Sequence, residues 1–417
     1  MSARSTPSDQ VASATVDHLL RHESGRLVAS LVSIFGASKI DLIEDVVQEA
    51  LLEALRSWRF HGVPGNPTAW LTQVGKRRAL DALRRDATLR RLEPDLHARV
   101  QRLAERSPHD GIDDQLRLMF LCCHPDLPRE SRVALTLKFV AGMGTREIAR
   151  AFLVTEPTMA QRIVRAKRDI RDRRLALDMP EPDERPERLH SVLETLYLLF
   201  NDGYAATEGD EVTRRDRLEE ACRLAMMLVQ DERTATPTTH AVLALMLFHA
   251  SRMDARSDDG RLMLLEDQDR FRWDRNLIQR GFEHLKHAQA GSELTTYHLE
   301  AGIAAVHARA TSFERTDWAE IMQLYDLLYA HNPSPIVGLN RAVAIAMVCG
   351  PGAGLAELEA LPRMDHYIHH AMVRGELLRR AGRTREAREQ LELALNMPSS
   401  APQRALIERR LASLGDA

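Results

Sequence analysis

The chain has 417 residues, of which 44% are hydrophobic, and this is enough to bury the cores of two or three globular domains. No apolar run approaches the roughly 20 residues of a membrane-spanning helix, and the polar N-terminus MSARSTPSDQ lacks the apolar centre of a signal peptide. We therefore predict a cytoplasmic protein without a membrane segment. The four cysteines form neither a disulfide framework nor the paired spacing of a metal site.

The net charge of −3 is unevenly distributed along the chain. Residues 1–178 contain 29 Lys and Arg against 23 Asp and Glu, whereas the remainder contains 28 against 37. The basic first part suits contact with phosphates, and the acidic second part does not suit a position along DNA. The two parts are therefore expected to have different partners.

Periodic apolar segments run from about Val16 to Leu414 and strand signals are nearly absent, which predicts an all-α fold. The segment 41–57 begins with a capping-box-like pair, Asp41 and Glu44. Its predicted core stripe consists of Ile43, Val47, Ala50, Leu51, Ala54 and Leu55. A second, mostly acidic stripe consists of Asp45, Gln48, Glu49 and Leu52. Without further context this second stripe is also typical of a merely solvated face.

A loop rich in Gly and Pro, 58–66, precedes a helix that Asn66 and Pro67 are predicted to open. One face of this helix carries Trp70, Gln73, Arg77 and Arg84. An aromatic ring beside amides and guanidiniums can stack on an unpaired base and neutralise its backbone. A partly buried tryptophan on a basic surface helix explains the same residues equally well.

Residues 87–112 mix both charges and are interpreted as a linker with some helix. Two helices, 113–121 and 130–141, are then predicted around the sequence CCHPDLP. Cys122, Cys123 and His124 are adjacent, and three adjacent ligands cannot surround one tetrahedral ion from a helix end. We expect buried small side chains here in preference to a metal or redox site.

The segment 145–171 has the pattern of a helix-turn-helix. Thr145 is expected to cap the first helix; Thr155 is expected to cap the second, with Glu156 and Pro157 in its first turn. The predicted core face of the second helix consists of Met159, Ile163, Ala166 and Ile170. The opposite face carries Thr158, Gln161, Arg165 and Arg168, and can read DNA. The alternative is an ordinary helical hairpin with a solvated basic face.

The acidic remainder begins with a Pro-rich hinge, 180–187, and a helix that is predicted to stop at Asn201-Asp202-Gly203-Tyr204. Helix pairs follow to the end. The pair 371–398 places five residues at tetratricopeptide-like packing positions: Gly375, Leu378, Ala387, Leu391 and Ala394. The pair 336–361 fits less well because Gly350-Pro351-Gly352 is expected to lengthen its turn. Such arrays usually bind protein segments, and His366, His369 and His370 are interpreted as surface histidines, not metal ligands.

With these motifs in order, residues 17–175 resemble the sigma-70 family of bacterial transcription initiation factors, in particular its extracytoplasmic-function (ECF) type. The resemblance implies a first domain, 1–86, that binds the clamp of core RNA polymerase through Asp45, Gln48, Glu49 and Leu52. It implies that this domain opens promoter DNA at the minus-ten element through His61, Gly62, Asn66, Trp70, Gln73, Lys76, Arg77 and Arg84. It implies a second domain, 113–178, that binds the minus-thirty-five element through Glu156, Thr158, Gln161, Arg162, Arg165 and Arg168.

The chain departs from the family at two places that bear on base preference. Many relatives have an Asn or Arg pair where this chain has Lys76, Arg77 and Arg78, and many have Gly or Ser at the turn position of Leu153. A subgroup of ECF factors carries a long helical extension with a stretch similar to Asn201 to Tyr204. Residues 179–417 are accordingly expected to form a tetratricopeptide-like regulatory domain that contacts the sigma domains and binds a protein partner.

The resemblance implies that polymerase supplies the catalysis, so the chain is expected to need no cofactor and no metal. No nucleophile or metal-ligand spacing in the sequence favours an enzyme. The remaining alternative is a helix-turn-helix regulator with a tetratricopeptide-like sensor domain that does not act as a sigma subunit.

Overall fold

The computed structural model describes residues 23–85, 108–152, 154–204, 215–258, 260–362, 364 and 367–415. Leu153, His366 and residues 87–107 of the predicted linker lie outside this set. The predicted all-α fold is confirmed, because the strands among the described residues are a single pair of two residues each. No described helix combines the length and the apolar character needed to cross a membrane. The chain divides into two compact units, Met1–Leu199 and Phe200–Ala417.

The described part of the first unit is helical. Its helices are α1 (residues 23–35), α2 (Ile40–His61), α3 (Pro67–Arg85), α4 (Pro108–Cys122), α5 (Arg129–Leu135), α6 (Thr145–Ala151), α7 (Glu156–Asp172) and α8 (Arg185–Tyr204), which continues into the second unit. A 3₁₀ turn, Ala37–Lys39, precedes α2, and α5 passes into a π-helical turn, Thr136–Val140.

The core stripe of α2 follows the prediction for four of six residues. Ile43, Val47, Ala50 and Ala54 are buried, whereas Leu55 is 37% exposed. Trp58 is buried in its place, because position 58 extends the ridge of residues 47, 50 and 54 by one further helical turn. The capping-box interpretation of Asp41 and Glu44 was wrong, since α2 begins at Ile40 and no side chain caps it.

The helix-turn-helix consists of α6 and α7. Thr155 caps α7 as predicted, its Oγ1 accepting a hydrogen bond from Thr158 N at 3.4 Å. All four predicted core residues of α7 are buried: Met159, Ile163, Ala166 and Ile170. The cap of α6 lies one residue earlier than predicted, because Gly144 N donates to Glu147 Oε2 at 2.8 Å and Thr145 is already helical.

The cysteines at the end of α4 are buried. Cys123 Sγ lies 3.4 Å from Thr136 Oγ1 and 3.9 Å from Thr195 Oγ1, so this thiol faces hydroxyl groups of α8 and the π-helical turn. Burial raises the pKa of both the Cys122 and the Cys123 thiol. These two residues therefore pack as small, protonated core side chains.

The second unit is a succession of helices in which sequence neighbours pack together. They are α9 (Arg215–Gln230), α10 (Pro237–Ser251), α11 (Arg275–Ala288), α12 (Thr296–Arg309), α13 (Trp318–His331), α14 (Pro335–Cys349), α15 (Pro351–Ala360), α16 (Ile368–Arg380), α17 (Thr384–Leu395) and α18 (Ala401–Ser413). Between α10 and α11, β1 (Ser257–Asp258) pairs antiparallel with β2 (Arg261–Leu262), Ser257 opposite Leu262. Two 3₁₀ turns, Met253–Ala255 and Arg270–Arg272, flank this hairpin.

The helix pairs near the C-terminus cross at small residues. The five predicted packing residues of α16 and α17 are all buried: Gly375, Leu378, Ala387, Leu391 and Ala394. The predicted long turn between α14 and α15 was wrong, because Gly350 alone separates the two helices. It does so at φ +91°, which favours glycine. A Cβ on Gly354 would lie 2.6 Å from Ala346 Cβ and 2.8 Å from the carbonyl oxygen of Ala342, so α15 needs a glycine where it crosses α14.

Gly354→Ala should therefore destabilise the second unit by about 1 to 3 kcal/mol, because α15 must move away from α14 to make room. The measurement is urea unfolding followed by far-UV circular dichroism. Gly352→Ala in the same helix is the matched control, since a Cβ there meets nothing within 4 Å. Equal midpoints for the two variants would contradict the close crossing.

Candidate nucleic-acid interface

The solvent face of α7 carries most of the residues predicted to read DNA. Glu156, Thr158, Gln161, Arg165 and Arg168 are all exposed. Arg165 has no ion-pair partner among the described residues, and Arg168 Nε lies 3.8 Å from Asp172 Oδ2. Arg162 differs from them, because it is half-buried and its Nη1 lies 3.0 Å from Glu130 Oε2. The helix thus offers a basic and polar surface with Arg165 at its centre.

Val164 belongs to the same surface, and the sequence interpretation missed it. It is 59% exposed and lies three residues after Gln161 and four before Arg168, which places it on their side of α7. An exposed valine on such a face can contact the methyl group of thymine in a major groove. Its spacing from Gln161 and Arg168 in the sequence already indicated that Val164 lies on this face of α7.

The second stripe of α2 is exposed along its whole length: Asp45, Gln48, Glu49 and Leu52. Leu52 is 52% exposed, and the neighbouring Leu55 adds further apolar surface. The face therefore combines carboxylates with apolar groups. A face of this composition is better suited to binding a protein partner than a face of carboxylates alone.

Arginines of α3 bind the acidic residues of α2. Arg78 Nη1 lies 2.6 Å from Glu49 Oε2, and its Nη2 lies 2.5 Å from Glu53 Oε2. Arg77 Nη2 lies 3.0 Å from Glu53 Oε1, although the Arg77 side chain stays 62% exposed. The hydrogen bond from Arg78 lowers the pKa of Glu53. Arg78 therefore joins the two helices, a role that the sequence interpretation did not assign to it.

The loop between α2 and α3 is exposed at His61, Gly62 and Asn66. His61 is the last residue of α2, and its Nδ1 lies 3.0 Å from Ser57 O. Asn66 Oδ1 accepts a hydrogen bond from Ala69 N at 3.0 Å and so caps α3. The loop residues are therefore held at the start of the helix that carries Trp70.

Trp70 is half-buried, and its ring meets the buried ring of Trp58 edge to face at 5.5 Å between centroids. Gln73, one turn further along α3, is exposed, and Lys76 is half-buried. The side chain of Arg84 lies outside the described residues. Trp70 therefore stays partly accessible, and Gln73 and Arg77 follow it at helical spacing on the same side of α3.

A buried lysine of α7 is the principal feature that the sequence interpretation missed. Lys167 Nζ lies 2.7 Å from Asp41 Oδ1 and 2.8 Å from Glu44 Oε2, and the side chain is only 10% exposed. Lys138 Nζ lies 3.2 Å from the other oxygen of Glu44. Burial alone would lower the pKa of Lys167, but hydrogen bonds to Asp41 and Glu44 outweigh this effect and raise it. This cluster joins α7 directly to the first turn of α2.

Lys167→Met keeps most of the apolar stem and removes the ammonium. The change should weaken the contact between α7 and α2 by about 1 to 3 kcal/mol, because a charge-assisted pair is lost and Asp41 loses its closest cation. Hydrogen-exchange mass spectrometry of the full chain should show faster exchange in peptides of the first turns of α2. Arg168→Met, which changes an exposed residue of α7, is the control. Identical exchange in both variants would refute the assignment.

Comparison with known families matches three parts of the chain. Residues 20–88 match Sigma-70 region 2 and residues 117–170 match Sigma-70, region 4. Residues 188–289 match a family of unknown function (DUF6596). The chain is 41% identical over 382 residues to an uncharacterised protein of Rhizobium meliloti (strain 1021), an alignment that covers 89% of this chain and 90% of that protein. No solved structure matches the chain.

Proposed function

Because the chain belongs to the sigma-70 family, whose regions 2 and 4 it carries, we propose that it is an ECF-type sigma factor controlled by its own C-terminal domain. It binds core RNA polymerase, places the enzyme on promoter DNA and helps to open the duplex, while polymerase performs the catalysis. The observation that carries this proposal is the presence, in one compact unit, of an exposed acidic face on α2 and an exposed basic face on α7.

Each part of the proposed division of labour rests on a different chemistry. The face of Asp45, Gln48, Glu49 and Leu52 binds polymerase through carboxylates and an apolar contact. The accessible side of the Trp70 ring stacks on an unpaired base, an interaction worth about 1 to 3 kcal/mol. The exposed face of α7 binds the upstream duplex through Gln161, Val164 and Arg165. Residues 1–86 and 113–178 form the two sigma domains of this proposal, and 179–417 its regulatory domain.

The contact between Lys167 and α2 must break when both promoter elements are bound. The minus-ten and minus-thirty-five elements lie roughly 25 base pairs apart, which is about 85 Å along B-form DNA. Helices that share the ion cluster of Lys167, Asp41 and Glu44 touch each other and cannot span that distance. The form described above is thus a closed form of the sigma domains, and polymerase and promoter together stabilise an open one.

The proposal is tested by run-off transcription with core polymerase. Promoters are first located by mapping transcript ends in cells that express the chain, and full-length protein and residues 1–204 are then compared on those templates. A promoter-dependent transcript is expected, with a different yield from the truncated form if the C-terminal domain controls activity. The absence of a specific transcript from both forms would refute the proposal.

Asp45→Ala should weaken binding to core polymerase about tenfold, because it removes an exposed carboxylate from the centre of the polymerase-binding face. Binding is measured with purified core enzyme in solution. Asp183→Ala, an exposed aspartate outside the helices, is the matched control. A regulator that does not act as a sigma subunit predicts unchanged binding for both variants.

Arg165→Ala and Trp70→Ala should separate duplex binding from opening. Arg165→Ala should lower affinity for the upstream duplex by about 1 to 3 kcal/mol, because a side chain that reaches base edges is lost. Trp70→Ala should leave that affinity nearly unchanged but reduce the permanganate reactivity of the opened strand. Trp70→Phe should retain part of the permanganate reactivity. Arg385→Ala, an exposed arginine of the second unit, is the control; equal effects of both variants in both assays would contradict the division.

A further inference from the structure

Two arginines of the second unit, Arg252 and Arg256, lie against the ring of Tyr204, the last residue of α8. A third, Arg270, stacks on Trp273, with its guanidinium carbon 4.3 Å from the ring centroid. The guanidinium carbon of Arg256 lies 3.7 Å from the centroid of the Tyr204 ring, and that of Arg252 lies 5.4 Å from it. His249 meets the same ring at 4.9 Å between centroids, and Arg252 Nη2 lies 2.8 Å from His249 Nδ1. Arg270 is only 5% exposed. These residues come from the ends of α8 and α10, the turn before β1, and the 3₁₀ turn Arg270–Arg272.

Within the part of the chain that the structure describes, no carboxylate pairs with the positive charges of this cluster. No salt bridge joins Arg252, Arg256 or Arg270 to an acidic side chain among the described residues. Arg270 is held by the backbone oxygens of His307 and Ala310 and by Thr316 Oγ1. The carboxylate of Glu314 acts to raise the pKa of Arg270, but Glu314 is exposed and forms no salt bridge with it among the described residues. Oxygen atoms thus hold Arg270, His249 holds Arg252 and the Tyr204 ring holds Arg256, and none of these neutral partners removes the positive charge.

The same side chains have buried donors without acceptors. The Nε atoms of Arg252, Arg256 and Arg270 are buried and find no hydrogen-bond partner among the described residues, and neither does His307 Nδ1. Each such donor costs about 1 to 3 kcal/mol, and folded proteins contain few of them. Three guanidinium donors in one cluster indicate a site whose acceptor comes from a bound molecule, whereas His307 Nδ1 is a donor in only one tautomer of the neutral ring.

The electrostatics of the cluster agree with this geometry. Burial and then Arg252 lower the pKa of Arg270 to about 10, and burial followed by Arg252 and Arg270 lowers the pKa of His307 to about 3. Burial, with Arg252 and Arg256, also holds the pKa of His249 well below its ordinary value. Besides burial, Arg252 thus lowers the pKa of Arg256 as well as those of Arg270, His307 and His249, and a bound anion would relieve this repulsion.

We propose that Arg252, Arg256 and Arg270 form a binding site for the phosphate group of a small molecule. The planar fork of a guanidinium matches phosphate oxygens, and its charge does not depend on small changes of pH. A phosphate carries up to two negative charges, which three arginines balance better than they balance the single charge of a carboxylate. The arginines lie in residues 188–289, the part of the chain that matches a family of unknown function. The proposal does not rest on the function of the first unit.

Isothermal titration calorimetry of the full chain tests the proposal, with inorganic phosphate, pyrophosphate, AMP and ATP as probes at constant ionic strength. Saturable binding of at least one probe is expected, with an affinity at least tenfold weaker for Arg256→Gln and for Arg252→Gln. Arg385→Gln, an exposed arginine elsewhere in the second unit, should bind as the wild type does. Tighter binding of a nucleotide than of free phosphate would identify a phosphate ester as the ligand, and the reverse order would identify inorganic phosphate.

A thermal measurement separates a binding role from a structural one. Arg256→Gln removes a cation that Arg252 repels and also removes its contact with the Tyr204 ring, so the Tm of the ligand-free chain should change little. Ligand should raise the Tm of the wild type but not of Arg256→Gln. Arg256→Lys keeps the charge without the fork and should bind more weakly while it folds normally. No saturable binding up to about 10 mM, or equal binding by wild type and both Gln variants, would overturn the proposal.

Discussion

The ammonium of Lys167, held between Asp41 and Glu44, is the constraint on which the first unit depends. A buried amine costs several kcal/mol unless carboxylates accept its hydrogen bonds, so α7 is stable against α2 only in the rotation that brings these groups together. Such a cluster does not by itself add much net stability, since apolar residues can replace it. Its effect is orientation, because with Lys167 on the inner side of α7 the polar face around Arg165 must point to solvent.

Local signals explain why much of the fold could be predicted from the sequence and why some of it could not. The Thr155 cap and the core positions of α7 depend on residues three or four apart, and these were correct. Asp41 and Glu44 also have the spacing of a local cap, but they bind Lys167, more than 120 residues away. A one-dimensional pattern does not distinguish a carboxylate that caps its own helix from one that pairs with a distant cation.

The candidate site shows the same limit for arginines. Periodicity correctly placed the exposed stripe of α2 and the exposed face of α7, because exposure follows from helical spacing. It placed Arg77 on the exposed face of α3, but it did not show that Arg77 and Arg78 both pair with carboxylates of α2. An arginine has the same sequence signature whether it meets a phosphate or a carboxylate, and only the packing of α3 on α2 decides between them. Val164 was overlooked because a valine on a polar face is easily assigned to the core.

Composition also conceals the electrostatics of the second unit. Its excess of acidic residues predicts that its arginines are neutralised, and near the C-terminus they are: Arg380 Nη2 lies 2.7 Å from Glu266 Oε2, and Arg410 Nη1 lies 3.4 Å from Glu376 Oε2. Arg252, Arg256 and Arg270 belong to the same acidic unit and have no carboxylate partner among the described residues. These arginines therefore lack carboxylate partners because of their position in the fold, and not because the second unit contains few carboxylates. Guanidiniums that are fixed by neutral partners and partly dehydrated suit the recognition of an anion, since they need little reorganisation when it binds.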